Sequence, residues 1–226
     1  VAVKISGGGR ILKQVIFMIQ TLYDDAQAVI KVALSQVKPD AAVQRALQSF
    51  QPGERTVLVS VGKAAWQMAA AAEKCLPGPL AGGIVITKYG HVKHPLPGIE
   101  CYEAAHPVPD EQGFAATEKA LRMVEQLNPQ DTVLFLLSGG GSALFEAPLI
   151  PGGELQEITS QLLACGADIV EINTIRKRLS RVKGGRFARA CAPARVFSIV
   201  LSDVLGDPLD MIASGPAAPD TSTCAQ

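Results

Sequence analysis

The sequence predicts an α/β fold, a three-layer αβα sandwich around a mainly parallel, Rossmann-like sheet. Three observations point there. Strand-like and helix-like segments alternate along the 226 residues, which is the rhythm of βα units. The segments TVLVSV (56–61), TVLFLL (132–137) and VFSIVL (196–201) are apolar almost without interruption. Strands of that kind are buried on both faces, as in a parallel sheet held between helices. The chain just beyond these runs carries glycines and charged residues, and that end of an open α/β sheet is where ligands bind.

Each element has its own signal. Residues 11–36 read as a helix with two apolar faces, and 39–50 as a second helix ending before Pro52-Gly53. Thr56 to Val61 is a β-branched strand bounded by Gly62, and the Ala-rich stretch from Ala64 to Cys75 favours helix. GIVIT (83–87) is the next strand and Glu100 to Ala104 a weaker one. Asp110 can cap a helix running to Leu127, with Phe114, Leu121, Val124 and Leu127 on one face. Glu154 to Ala164 is a helix stopped by Gly166. Asp168 and Glu171 have capping-box spacing, opening a helix expected to bury Ile172, Ile175 and Leu179. No repeat, low-complexity linker or internal domain boundary is visible.

Composition narrows the function. Twenty-one basic residues balance 21 acidic ones, so the chain lacks the net positive charge of a general nucleic-acid or membrane-surface binder. The five cysteines are odd in number, and none forms a Cys-x-x-Cys pair. Structural zinc and thioredoxin-like chemistry are therefore disfavoured, and buried free thiols in a reducing cytoplasm are expected. The apolar run Val15 to Ile19 is too short for a signal peptide core or a membrane span. Residues 1–10 read as leader or cloning sequence, and 220–226 as the opening of a further helix, so a longer protein is expected.

Four strand ends can carry chemistry. The sharpest is LFLLSGGGSAL, where a buried strand runs into Ser138, Gly139, Gly140, Gly141 and Ser142. Consecutive glycines present bare backbone N–H groups to an anion and reach φ > 0 without steric cost. The spacing matches neither Gly-x-Gly-x-x-Gly nor a nucleophile elbow. Lys63, after Gly62, lies where the next helix begins, an unfavourable place for a cation unless an anion joins it. The run from Arg176 to Arg189 holds seven basic residues and no acid, and some of them can bind phosphate or a substrate carboxylate. Ser202-Asp203 and Asp207 follow VFSIVL, and carboxylates there suit Mg²⁺ binding or base catalysis. Of the histidines, His91 and His106 are placed to line the cleft.

The motifs VGKAAWQMA, TKYGH, HPVPDE, LLSGGGSALFE, EINTIRKRLSRVKGGRFA and LSDVLGDPLDMIASGP resemble the N-terminal domain of class II glycerate kinases, some of which carry a hydroxypyruvate reductase name. The resemblance runs from about residue 20 to residue 226 and leaves Val1 to Arg10 unmatched. It implies ATP- and Mg²⁺-dependent phosphorylation of D-glycerate by a cytoplasmic enzyme, with 2-phosphoglycerate the expected product and 3-phosphoglycerate the alternative the sequence leaves open. It also implies that residues 11–226 form the larger of two domains with the active site between them, and that this stretch alone is inactive or nearly so. Lys63 and Asp203 then stand as catalytic residues, and Ser138 to Ser142 as the phosphate or nucleotide cradle. From their places in the sequence, Arg176, Lys183 and His106 are the expected substrate-binding residues, and Asp203 and Asp207 the expected metal ligands. Expected partners are D-glycerate and a nucleotide, with no nucleic acid and no membrane, and a homodimer is among the states allowed. An NAD(P)H-linked hydroxypyruvate reductase is the alternative, opposed by the missing Gly-x-Gly-x-x-Gly. A non-catalytic sugar-phosphate or nucleic-acid binding module is the third, opposed by the balanced charge.

Overall fold

The computed structural model describes residues 8–36, 38–202 and 204–223, with side chains from residue 14 onward. Five parallel strands form one sheet: β1 (Thr56–Val61), β2 (Gly82–Lys88), β3 (Ile99–Ala104), β4 (Thr132–Ser138) and β5 (Arg195–Leu201), in the order β3-β2-β1-β4-β5. The helices are α1 (Gly8–Gln36), α2 (Pro39–Leu47), α3 (Ala65–Cys75), α4 (Glu111–Val124), α5 (Gly141–Leu144), α6 (Gly152–Ala164), α7 (Ile169–Arg178) and α8 (Arg186–Ala190), with a 3₁₀ turn at Ile212–Ser214. The expected αβα sandwich is what forms.

The continuous apolar strands bury both faces, and the pleat sorts their side chains. Val57, Val59 and Val61 of β1 join Val133, Phe135 and Leu137 of β4 in a core closed by α4, α5 and α8. Leu58 of β1 joins Leu134 and Leu136 of β4 in a second core, closed by α2 and α3. Every residue of β1 and β4 is buried. Phe135, Phe145 and Phe187 form a ring cluster in the first core, with centroids 4.7 to 6.0 Å apart.

The local signals act as expected at several ends. The Asp110 carboxylate accepts from the Gly113 N–H at the start of α4, and Asp168 and Glu171 form a complete capping box on α7. Three expectations change. Ile175 is exposed, because α7 turns Ile172, Asn173, Arg176 and Lys177 inward instead. The sequence places Lys183 before Gly184-Gly185, where a helix is expected to end; it lies instead in a loop after α7. Of the described cysteines only Cys191 is buried, while Cys75 and Cys165 are exposed. Burial pushes the Cys191 thiol up to about 12, so it stays protonated and inert.

The strand order places the site. The chain moves outward from β1 through β2 to β3, then returns to the other side of β1 to lay down β4. This reversal between β1 and β4 is the topological switch point, where an open α/β sheet leaves a crevice at its carboxyl edge. Gly62-Lys63 leaves β1 at that edge, and Gly139 to Ser142 leaves β4 there.

Candidate active site

The two loops at the switch point are built as one piece. The backbone N–H of Lys63 donates to the Gly139 carbonyl at 2.9 Å. The Ser138 hydroxyl accepts from the Ala64 N–H at 3.1 Å and donates to the Val61 carbonyl at 3.2 Å. Gly62 has φ +115°, and a Cβ there would stand 2.3 Å from the Ser138 hydroxyl oxygen. Only glycine fits that approach. The Thr87 hydroxyl donates to the Gly62 carbonyl at 2.9 Å, and His91 Nδ1 lies 2.8 Å from the Lys63 carbonyl. The Ser138 hydroxyl is thus committed to backbone, joining β1 to β4 from a buried position.

Gly140 turns the chain with φ +87° and caps α5 without any side-chain hydrogen bond. No side chain caps the first N–H groups of that turn, which follows β4 at the carboxyl edge of the sheet. A Cβ on Gly140 would lie 3.1 Å from His106 Cδ2 and 3.2 Å from Lys63 Cγ. The glycine loop, the Lys63 stem and the His106 ring therefore meet at one point. Beside them is a cavity of about 470 Å³ lined by Arg45, Lys63, Ala64, Ser138, Gly139 and Ser202. Its size is that of a small-molecule site.

A second layer lies behind the glycine loop. The hydroxyls of Ser142 and Ser214 are 3.2 Å apart, and Ser214 donates to Asn173 Oδ1 at 2.8 Å. Ala213 and Ser214 both have positive φ, +52° and +61°, a strained conformation that the surroundings hold in place. The Gly184 N–H donates to the Ser214 carbonyl at 3.0 Å, and Gly185 to the Gly215 carbonyl at 2.7 Å. Lys183 is fully buried. Its ammonium donates to the Phe145 carbonyl at 2.8 Å and pairs with Glu146 at 3.1 Å, which places it beneath the glycine loop. Burial holds its pKa below the ordinary lysine value against the attraction of Glu146.

The structure therefore brings together Lys63, Ser138 to Ser142 and His106, and sets Lys183 under them. Arg176 is buried on α7, one turn from Asn173. Asp207 is exposed on the loop after β5, with φ +49°. Asp203 lies outside the described residues. Among the described residues no group of three or more His, Cys, Asp or Glu side chains is placed to hold a metal ion. Sequence reasoning missed Asn173, Ser214 and Glu146. Asn173 and Arg176 are three apart on one helix, a spacing that puts them on one face, and this signal was readable.

The sequence matches the family described as Domain of unknown function (DUF4147) over residues 25–226. The chain belongs to the DUF4147 family. A D-glycerate 2-kinase from Thermotoga maritima is 55% identical over 197 residues, covering 86% of this DUF4147 chain and 47% of the relative. A protein from Agrobacterium vitis that carries a hydroxypyruvate reductase name is 43% identical over 199 residues, covering 87% and 45%. The crystal structure of glycerate kinase from Thermotoga maritima superposes with a TM-score of 0.84 at 53% identity, covering 90% of this chain and 50% of that one. The DUF4147 chain thus spans about half the length of the curated relatives it matches. The resemblance to glycerate kinases read from the motifs stands, and the parallel sheet is shared with the solved kinase. No helix among the described residues is long and apolar enough to cross a membrane.

Proposed function

We propose that this chain is part of a cytoplasmic kinase that transfers the γ-phosphoryl group of ATP to D-glycerate, forming 2-phosphoglycerate. The observation that carries the reading is the meeting of Lys63 with the glycine loop, where a Cβ on Gly140 would lie 3.2 Å from Lys63 Cγ. Phosphoryl transfer asks the protein for positioning and charge neutralisation more than covalent chemistry. Backbone N–H groups at Gly139 to Ser142 are suited to hold phosphate oxygens, and Lys63 to neutralise the charge that moves between them. In this reading His106, against the same loop, donates to the acceptor or a phosphate oxygen. The half-length match to proteins named D-glycerate 2-kinase and glycerate kinase supports the substrate and the reaction.

The carboxylates that follow β5 in the sequence are of the type that suits Mg²⁺. It binds through one or two carboxylates plus substrate phosphates, so no cluster of three acidic side chains is needed. Asp203 and Asp207 are the residues to hold it, and the ion would supply charge neutralisation on the nucleotide phosphates.

The test uses the whole protein encoded by the gene, with ATP, Mg²⁺ and D-glycerate, following ADP release and the phosphorylated product by ³¹P NMR. Glycerate-dependent ADP release with a 2-phosphoglycerate signal is expected. NADH oxidation by hydroxypyruvate, without ADP release from glycerate, would replace the kinase reading with the reductase.

A further inference from the structure

The basic run after Asn173 is almost fully accounted for by its own partners. Lys177 lies between Asp210 at 3.4 Å and Asp220 at 3.3 Å, and Arg178 pairs with Asp220 at 3.1 Å. Arg181 pairs with Glu118, and Arg186 donates to the carbonyls of Lys177 and Ser180. Lys183 pairs with Glu146. Arg189 is exposed to water.

Arg176 is different. It is only 8% exposed, and among the described residues its guanidinium makes no hydrogen bond and no ion pair. Desolvation holds its pKa below the usual arginine value, offset in part by the charge of Glu146. One carboxylate, Glu146, thus faces two buried cations, Arg176 and Lys183. The Glu146 oxygen Oε2 is taken by Lys183, and Oε1 is buried without a hydrogen-bond partner. A desolvated guanidinium with unused donors is costly unless an anion completes it.

Its place in the fold says which anion. Arg176 sits one helical turn from Asn173, which holds Ser214, whose hydroxyl lies 3.2 Å from that of Ser142 in the glycine loop. The α7 helix and the glycine-loop helix α5 both pack on the Ile212–Ser214 turn. We propose that Arg176 receives the carboxylate of a short 2-hydroxy monocarboxylic acid, with the Ser142 and Ser214 hydroxyls beside it. In this arrangement the Lys183–Glu146 pair is the charged neighbour of the guanidinium, Glu146 holding its charge in place from the protein side. The planar fork of arginine matches a carboxylate through two parallel N–H···O bonds. One surplus positive charge matches a monoanion. The dianionic phosphate belongs to the glycine loop and Lys63. Naming the acid as substrate rests on the kinase reading, whereas the carboxylate site stands on the buried charge itself.

The experiment measures binding to the whole protein by calorimetry, with D-glycerate, D-lactate, glycerol and inorganic phosphate as probes, in the wild type and in Arg176→Met and Arg176→Lys. Wild type should bind D-glycerate and D-lactate but not glycerol. Arg176→Met should weaken D-glycerate about 10- to 100-fold, the scale of one charge-assisted pair, while phosphate binding and the KM for ATP stay within about twofold. Its Tm without ligand should rise, because a desolvated charge is removed. Arg176→Lys keeps the charge and loses the fork, so it should fall between the two. Unchanged glycerate affinity in Arg176→Met overturns the proposal, and so does a fall in its Tm or failure to fold, which would make Arg176 a structural residue. Arg176-dependent glycerate binding without any ADP release would sink the kinase reading and leave the carboxylate site standing.

Discussion

Lys63 and Gly139 are joined by a backbone hydrogen bond of 2.9 Å, the Lys63 N–H donating to the Gly139 carbonyl. This bond spans the switch point between β1 and β4. It fixes where the Lys63 side chain starts relative to the glycine loop, so the cation and the backbone donors are set before any ligand arrives. Preorganisation of this kind is what makes electrostatic stabilisation effective, since nothing need reorient during reaction.

The first prediction concerns the lysine charge. Lys63→Ala leaves the backbone bond intact and removes a side chain that is exposed to solvent. The variant should fold with a Tm close to wild type and lose about 100-fold or more in kcat, the range for deleting one transition-state charge contact. Steady-state kinetics on the whole protein, beside a thermal melt, measure both. A wild-type kcat would make Lys63 an ordinary surface lysine.

The second prediction concerns Gly140. Its φ of +87° and the 3.1 Å approach to His106 leave a side chain no comfortable place. Gly140→Val should abolish nucleotide binding by crowding the point where Lys63 and His106 meet. The left-handed backbone adds a stability cost of about 1–2 kcal/mol, so a melt accompanies the binding titration. A folded Gly140→Val with full ATP affinity would remove the glycine loop from the nucleotide site.

Much of this geometry was legible in the sequence because its signals are local. An uninterrupted apolar run ending in three glycines announces both a buried strand and a bare-backbone turn. The reversal of strand order between β1 and β4 follows from pairing and needed the fold. The basic run was less legible for a different reason. Arg176 and Lys183 look alike as letters, and what separates them is Glu146, 30 or more residues away, which takes Lys183 and leaves Arg176 without a hydrogen bond. The exposure of Ile175 has the same origin. A periodic apolar pattern assigns Ile175 to the core, but Asn173, Arg176 and Lys177 find buried polar partners or neighbours and take that face. The short helices α5 and α8, of four and five residues, carry too few turns for any periodicity to appear.

Two glycines with positive φ should respond differently to alanine. At Gly62 a Cβ would stand 2.3 Å from the Ser138 hydroxyl and 2.4 Å from its carbonyl oxygen, which belongs to the sheet and cannot yield. At Gly90, with φ +78°, a Cβ meets nothing within 4 Å. Gly90→Ala should cost only the conformational penalty of about 1–2 kcal/mol, and Gly62→Ala roughly 2–5 kcal/mol, because a backbone clash is added. Denaturant melts of the two variants compare them directly. Equal costs would mean that the β1 and β4 ends can part without loss.

The last prediction is a pH dependence at the opposite edge of the sheet. Asp131, just before β4, is buried and holds the entry to β1. It accepts from the Arg55 guanidinium at 2.7 Å, from the Arg55 backbone N–H at 3.2 Å and from the Asn128 N–H at 2.8 Å. The Arg55 side-chain hydrogen bond, with help from Asn128, pulls its carboxyl down to about 2 from the ordinary value of 3.8. The folded state therefore binds this proton more weakly than the unfolded state does. The resulting stabilisation is fully present above the unfolded value near 3.8 and is lost as pH falls through that value toward 2. Asp131→Asn should be less stable than wild type at pH 6, and the difference should shrink as acid is added, the two curves converging near pH 2. Denaturant unfolding of both proteins at several pH values between 2 and 7 gives the two curves. A gap that stays constant down to pH 2 would show that Asp131 acts through packing or hydrogen-bond shape alone, with no part for its charge.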